Sequence, residues 1–171
     1  LLPALTLRMQ FFFNCRKCEI WSMDRQKKKL ILYEEKQTKE MQIQDSGIIG
    51  YVIENEVIVN TFSVKRHHAY NQAIDGDTDE ALIAIPVVES TNRYMCVAVL
   101  RGPIGRPIFT SEDEESFKNL SPFIALSLSN ALAFTRIQTE FEKSSQEREG
   151  LAALLEVAEI ISGVMDIDIL V

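Results

Sequence analysis

An α+β fold is what this sequence predicts, on three observations. Short apolar runs with strand-like spacing fill the first part of the chain. Two of them, Leu82 to Val88 and Tyr94 to Leu100, are split by the polar stretch Glu89-Ser90-Thr91-Asn92-Arg93 and read as an antiparallel hairpin at the centre of a sheet. From Ser111 to about Met165 a helical pattern dominates, interrupted at most near Gly150. With 171 residues, 46% of them hydrophobic, one domain with a real core is comfortable.

Leu5 to Cys15 carries apolar residues on more than one face, which predicts a mostly buried helix. Cys18 to Met23 then reads as a strand, Asp24 to Lys29 as a charged, solvated connection, and Leu30 to Glu35 as the return strand. Met41-Gln42-Ile43 alternates like a half-buried strand. Asp45-Ser46-Gly47-Ile48-Ile49-Gly50 reads as a capped helix start running to Asn55, with two glycines where backbone approaches a ligand closely. Val57-Ile58-Val59 makes a further strand, and Ser63 to Asp75 a loop with a helical turn. Gly102, Pro103, Gly105 and Pro107 stop strand pairing, and Thr110 or Ser111 caps the long helix with acids in its first turn.

That helix changes character along its length. Phe117, Leu120, Ile124, Leu128 and Ala131 form a stripe suited to covering a sheet. Beyond it, Phe134, Ile137, Phe141, Ser144, Arg148, Leu151, Leu155, Ala158, Ser162 and Met165 alternate by three and four, a heptad seam with a polar middle. Such a seam wants a second helix: the same helix of another copy, or a neighbouring domain of the same chain. The chain begins without Met and ends within a pattern, so the sequence reads as a piece of a longer protein.

Composition narrows the partners. Against 18 Lys and Arg stand 25 Asp and Glu, a balance that argues against nucleic acid and against an anionic membrane surface. No apolar run reads as a membrane span and Leu1-Leu2-Pro3-Ala4 lacks a basic n-region, so a cytoplasmic location is expected. Three cysteines, Cys15, Cys18 and Cys96, form no disulfide framework. Cys15-Arg16-Lys17-Cys18 has CxxC spacing without two further ligands, and small buried residues are expected there. Asp75, Asp77 and Asp79 alternate like a calcium loop, but Glu80 and Pro86 stand where its Gly and Glu belong. With His67 and His68 the only histidines, a hydrolytic metal cluster is not expected, and neither is any catalytic residue.

In order along the chain, Glu19 to Glu35, Gly47-Ile48-x-Gly50-x-Val52, the strand reaching Pro86, Met95 to Leu100, Phe109-x-x-x-Asp113-Glu114 and Leu128-Ser129-Asn130-Ala131 resemble a GAF domain. Leu120 to Ala125 and Leu154 to Val157 are further similar to the first GAF module of tandem-GAF cyclic-nucleotide phosphodiesterases, or of related cyclases and sensor proteins. The resemblance implies a central antiparallel sheet of about six strands with helices on its faces, over residues 1–134. Residues 135–171 would be a linker helix leading toward a following domain, a second GAF. It implies a non-enzymatic, regulatory module that binds a small molecule such as cyclic GMP or cyclic AMP. The signal would pass through a homodimer of the C-terminal helix to a following GAF or output domain in the same chain. A ligand-free GAF domain serving as a dimerisation spacer is the alternative.

The sequence departs from that family at two points. In cyclic-nucleotide-binding members the loop before the central strand reads Asp-x-x-Thr-Gly-x-x-Thr; here Asp75-Gly76-Asp77-Thr78 is followed by Asp79-Glu80. Arg101-Gly102 stands where the phosphodiesterase signature has Asn-Lys. The cysteines of the methionine sulfoxide reductase branch of the family are replaced in their neighbourhoods by Tyr51 and Asp75. For a ligand, the backbone amides from Ile48 through Ile49 and Gly50 to Tyr51 would meet an anionic group. Tyr33 or Tyr70 would stack on a ring, and Asp75 and Thr78 would hydrogen-bond a polar edge.

Overall fold

The computed structural model describes residues 2–24, 27–33, 38–88 and 95–168, the side chains of residues 33, 45, 95 and 158–168 excepted. The chain runs α1 (Leu2–Phe13), β1 (Cys15–Asp24), β2 (Lys29–Tyr33), β3 (Thr38–Gln42), a 3-10 turn, α2 (Gly47–Asn55), β4 (Val59–Thr61), a second 3-10 turn, α3 (Gln72–Asp75), β5 (Leu82–Val88), β6 (Met95–Pro103) and α4 (Ser111–Asp168). It divides into two compact units, Leu1–Ala131 and Leu132–Val171.

Six strands form one sheet in the order β3-β2-β1-β6-β5-β4, and each neighbouring pair is antiparallel. Alternation divides its side chains between two covered faces. Trp21, Leu30, Leu32, Leu82, Ala84, Val97 and Val99 are buried in one cluster with Ile48, Ile49, Val52 and Ile53 of α2. Ile20, Ile83, Ile85, Ala98 and Leu100 alternate with them and are buried too. Phe13 of α1 and Phe117 of α4 meet edge to face with ring centroids 5.3 Å apart. Arg106 clamps the start of α4: its Nη1 and Nη2 reach Asp113 Oδ2 and Oδ1 at 2.6 and 2.9 Å, and Nη2 also donates to Phe13 O. Thr110 is the N-cap, with Asp113 N donating to Thr110 Oγ1 at 3.2 Å while Thr110 N and Oγ1 donate back to Asp113 Oδ2.

Three expectations change. Of the apolar residues of α1 only Leu2, Met9 and Phe13 are buried, while Leu7, Phe11 and Phe12 face outward, so the helix is amphipathic rather than mostly buried. The strand expected at Val57 begins at Val59, because Glu56 takes a left-handed conformation (φ 54°) to end α2 and pairing with β5 starts at Val59↔Ala84. Helix α4 passes through Gly150 without a break, within what its helical pattern predicts. An 18-residue window of α4 has a mean hydropathy of 1.2, so among the described residues one helix is, by length and composition alone, apolar enough to cross a membrane. The hairpin connection at residues 89–94 lies outside the described residues.

Candidate functional site

Two cavities flank the short segment that runs from His67 through α3 to Glu80. The smaller, about 260 Å³, lies over Trp21 and Leu32 of the sheet and is walled by Lys17, Glu19, Asp75, Thr78 and Arg101. The larger, about 530 Å³, lies against the outer side of α2 and is lined by Gly47, Gly50, Tyr51, Glu54, His68 and Tyr70 among others.

Arg101 organises the smaller cavity. It sits on β6, paired in register with Lys17 of β1 and Leu82 of β5, and its side chain is buried. Burying a guanidinium requires partners. Glu19 Oε2 lies 3.5 Å from Arg101 Nε, and Asp75 Oδ1 lies 3.8 Å from Arg101 Nη2. Arg101 Nη1 also donates to the Asp75 carbonyl at 3.2 Å. Glu19 accepts from Trp21 Nε1 at 3.0 Å and pairs with Lys17. Burial alone would raise the Glu19 carboxyl, but Arg101, Lys17 and Trp21 outweigh it and hold it below the usual range.

Asp75, in the wall of the smaller cavity, also reaches the start of α2. Its Oδ2 accepts from Ile48 N at 3.3 Å and Asn71 N at 2.9 Å, so an acid of the chain itself sits at the start of α2. Gly47, at φ +58°, is required there because a Cβ would stand 2.3 Å from Asp75 Oδ2. A Cβ at Gly50 would meet Ser46 Oγ at 2.3 Å. Both glycines therefore serve close packing within the chain rather than the open approach of a ligand. Burial pushes the Asp75 carboxyl above its usual range, against the pull of the two amides and Arg101. Among the described residues, its buried Oδ1 has no hydrogen bond.

The expected site residues are thus distributed. Asp75 and Thr78 wall the smaller cavity, and Gly50, Tyr51 and Tyr70 line the larger one. Ile48 and Ile49 are buried in the core. The Ile48 amide serves Asp75, and the Gly50 amide serves Ser46 O. Tyr33 ends β2, and its side chain lies outside the described residues. Sequence reasoning missed Arg101, Glu19, Trp21, Lys17 and Lys39; the signal available was an arginine ending an otherwise apolar run. All three cysteines are buried, and burial raises each thiol, Cys96 to about 12, so they are poor nucleophiles. Among the described residues, no group of three His, Cys, Asp or Glu is placed to hold a metal.

No family model matches the sequence. Among solved structures, the GAF domain of a phosphoenolpyruvate-protein phosphotransferase from Coxiella burnetii superposes with a TM-score of 0.63 at 19% identity, covering 77% of this chain and 82% of that one. The corresponding Acinetobacter domain gives 0.64 at 17% identity, covering 79% and 84%. The fold is that of a GAF domain. The GAF fold is also shared at a TM-score of 0.58 with a type II free methionine-R-sulfoxide reductase from Thermoplasma acidophilum, at 16% identity and over 72% and 86% of the two chains. In sequence, the chain is 30% identical over 115 residues, 65% of its length, to Dual 3′,5′-cyclic-AMP and -GMP phosphodiesterase 11A of Takifugu rubripes. It is 29% identical over 87 residues, 49% of the chain, to Cone cGMP-specific 3′,5′-cyclic phosphodiesterase subunit alpha′ of Mus musculus. The matches span 12% and 10% of the lengths of these relatives.

Proposed function

We propose that this GAF domain is the small-molecule-sensing regulatory module of a larger, cytoplasmic signalling protein. A ligand such as cyclic GMP or cyclic AMP enters the smaller cavity. Its arrival is relayed through α4, paired with α4 of a second copy, to a following GAF or output domain in the same chain. The observation that carries this reading is the cavity over Trp21, walled by the buried Arg101 and by Asp75, whose buried Oδ1 lies 3.8 Å from Arg101 Nη2 and accepts no hydrogen bond among the described residues. An unmet buried acceptor is costly, and a ligand N–H or O–H would meet it. Thr78 stands on the same wall for a polar edge, and Trp21 beneath it offers the ring for stacking. An anionic group reaching the Ile48 amide must displace the Asp75 carboxylate, which would turn binding into a movement of α3 against α2.

One observation favours the second reading, a ligand-free dimerisation spacer. Arg101 already has Glu19 and Asp75 beside it, and the start of α2 already has Asp75. The groups that would attract a phosphate are engaged within the chain.

Calorimetric titration with cyclic GMP and cyclic AMP, on protein whose self-association has been measured, separates the two. Saturable binding with thermal stabilisation by either nucleotide is expected. Absence of heat and of stabilisation with both, on folded protein, contradicts the sensing role and leaves the spacer.

A further inference from the structure

The larger cavity stands apart from the one used above and has a different chemistry. Tyr51 on α2 meets His68 edge to face at 4.5 Å and His67 at 5.3 Å, and the two imidazoles stack at 4.4 Å with planes 30° apart. Tyr70 closes another side, its ring fixed by an O–H donated to Gly76 O at 2.9 Å. Both tyrosines pack against the core cluster, so their rings are held in place before any ligand arrives. His67 Nδ1 accepts from Ala69 N at 3.2 Å, which anchors the histidine pair to its own loop. Burial, then the charge of His68, pull the His67 imidazole below its usual range, which favours the neutral ring.

Charge then selects the ligand. Glu54 is the carboxylate among the residues lining this cavity, on the same face of α2 as Gly50 and Tyr51. It is exposed and, among the described residues, makes no ion pair or hydrogen bond. A free carboxylate beside several π-faces repels anions and attracts cations. A bare metal ion would find too few ligating groups, since no set of three His, Cys, Asp or Glu converges among the described residues. A cation carrying its own apolar surface fits both features, because its methyl groups cover the rings while its charge faces Glu54.

We propose that the cavity between α2 and the His67–Gln72 segment is a second ligand site, and that it takes a small methylated ammonium ion of the choline type. No residue lines both this cavity and the one over Trp21. Its two ends are Glu54, which supplies charge, and Tyr51, which supplies the ring.

The test is a titration of the chain with choline and with tetramethylammonium, followed by the Tyr and His ring resonances in NMR. The uncharged isostere 3,3-dimethylbutanol is the control. Both cations are expected to give saturable shifts of the Tyr51 and His68 rings, with the isostere binding roughly fivefold or more weakly. Glu54→Gln, a change at an exposed position that leaves the fold intact, is expected to weaken choline binding by a similar factor. Tyr51→Leu, which keeps an apolar side chain against the core, is expected to abolish it. An equal response to the isostere, no saturable shift with either cation, or binding unchanged by both substitutions overturns the proposal.

Discussion

Phenylalanines on a single helix meet opposite fates in this chain. Phe117, in the unit Leu1–Ala131, is 0% exposed, and Ile124 and Leu128 after it are as well buried. Phe141, in the unit that starts at Leu132, is 75% exposed, and Phe134, Ile137, Leu151 and Leu155 of the same seam are exposed with it. The first set is buried within its own unit, with Phe117 against Phe13 of α1. The second repeats on a heptad spacing and is exposed among the described residues. Similar side chains on one helix therefore do two jobs. One set holds a domain together, and the other is the exposed seam that the proposed relay would use.

The largest expected effect tests that division. Phe117→Ala should cost about 3–5 kcal/mol of stability, the usual range for emptying a buried aromatic site, and lower the thermal midpoint accordingly. Phe141→Ala should leave the unfolding of dilute protein within about 0.5 kcal/mol of the parent while weakening self-association in sedimentation equilibrium. If Phe141→Ala unfolds the monomer as readily as Phe117→Ala, the division is wrong.

Two arginines sharpen the comparison at smaller scale. Arg106 holds Asp113 bidentately and half-buried in the first unit, whereas Arg136 and Glu140 form an exposed i, i+4 pair in the second. Arg106→Gln should cost about 2 kcal/mol. Arg136→Gln should cost at most about 0.5 kcal/mol, and less in high salt. The pH dependence of unfolding gives an independent reading. Burial would raise the Asp113 carboxyl, but Arg106 and Thr110 lower it below its ordinary value. Its stabilisation is therefore present above that ordinary value and lost as pH falls through the lowered, folded one. Asp75 has the opposite sign: burial raises its carboxyl, so its ionised form costs stability above the raised value, and the cost vanishes as pH falls through it. Arg106→Gln should flatten the acid limb of the stability curve, and an unchanged limb would deny Asp113 its role.

What the sequence made legible was local. Thr110 was one of two readable caps because a hydroxyl before three acids announces a helix start, and helix α2 occupies the bounds that Gly47 and Asn55 marked. The run Leu82 to Val88 is apolar on both faces, as a strand covered on both sides must be. What stayed hidden depended on residues distant in sequence. Asp75 caps α2 from 27 positions away, and Arg101 finds the Asp75 carbonyl across 26. No local pattern encodes such pairs. Phe11 and Phe12 misled for the same reason, because apolar composition says that a helix packs but not which side meets β1.

The relay itself is most directly tested by pulsed dipolar spectroscopy on a spin label placed through Ser145→Cys, an exposed position in the second unit. The native cysteines are buried, with thiols raised by burial, and are poor targets for the label. The account predicts one defined distance between labels on two copies, shifted by saturating cyclic GMP or cyclic AMP. No dipolar coupling between copies, or a distance indifferent to both nucleotides, would contradict it.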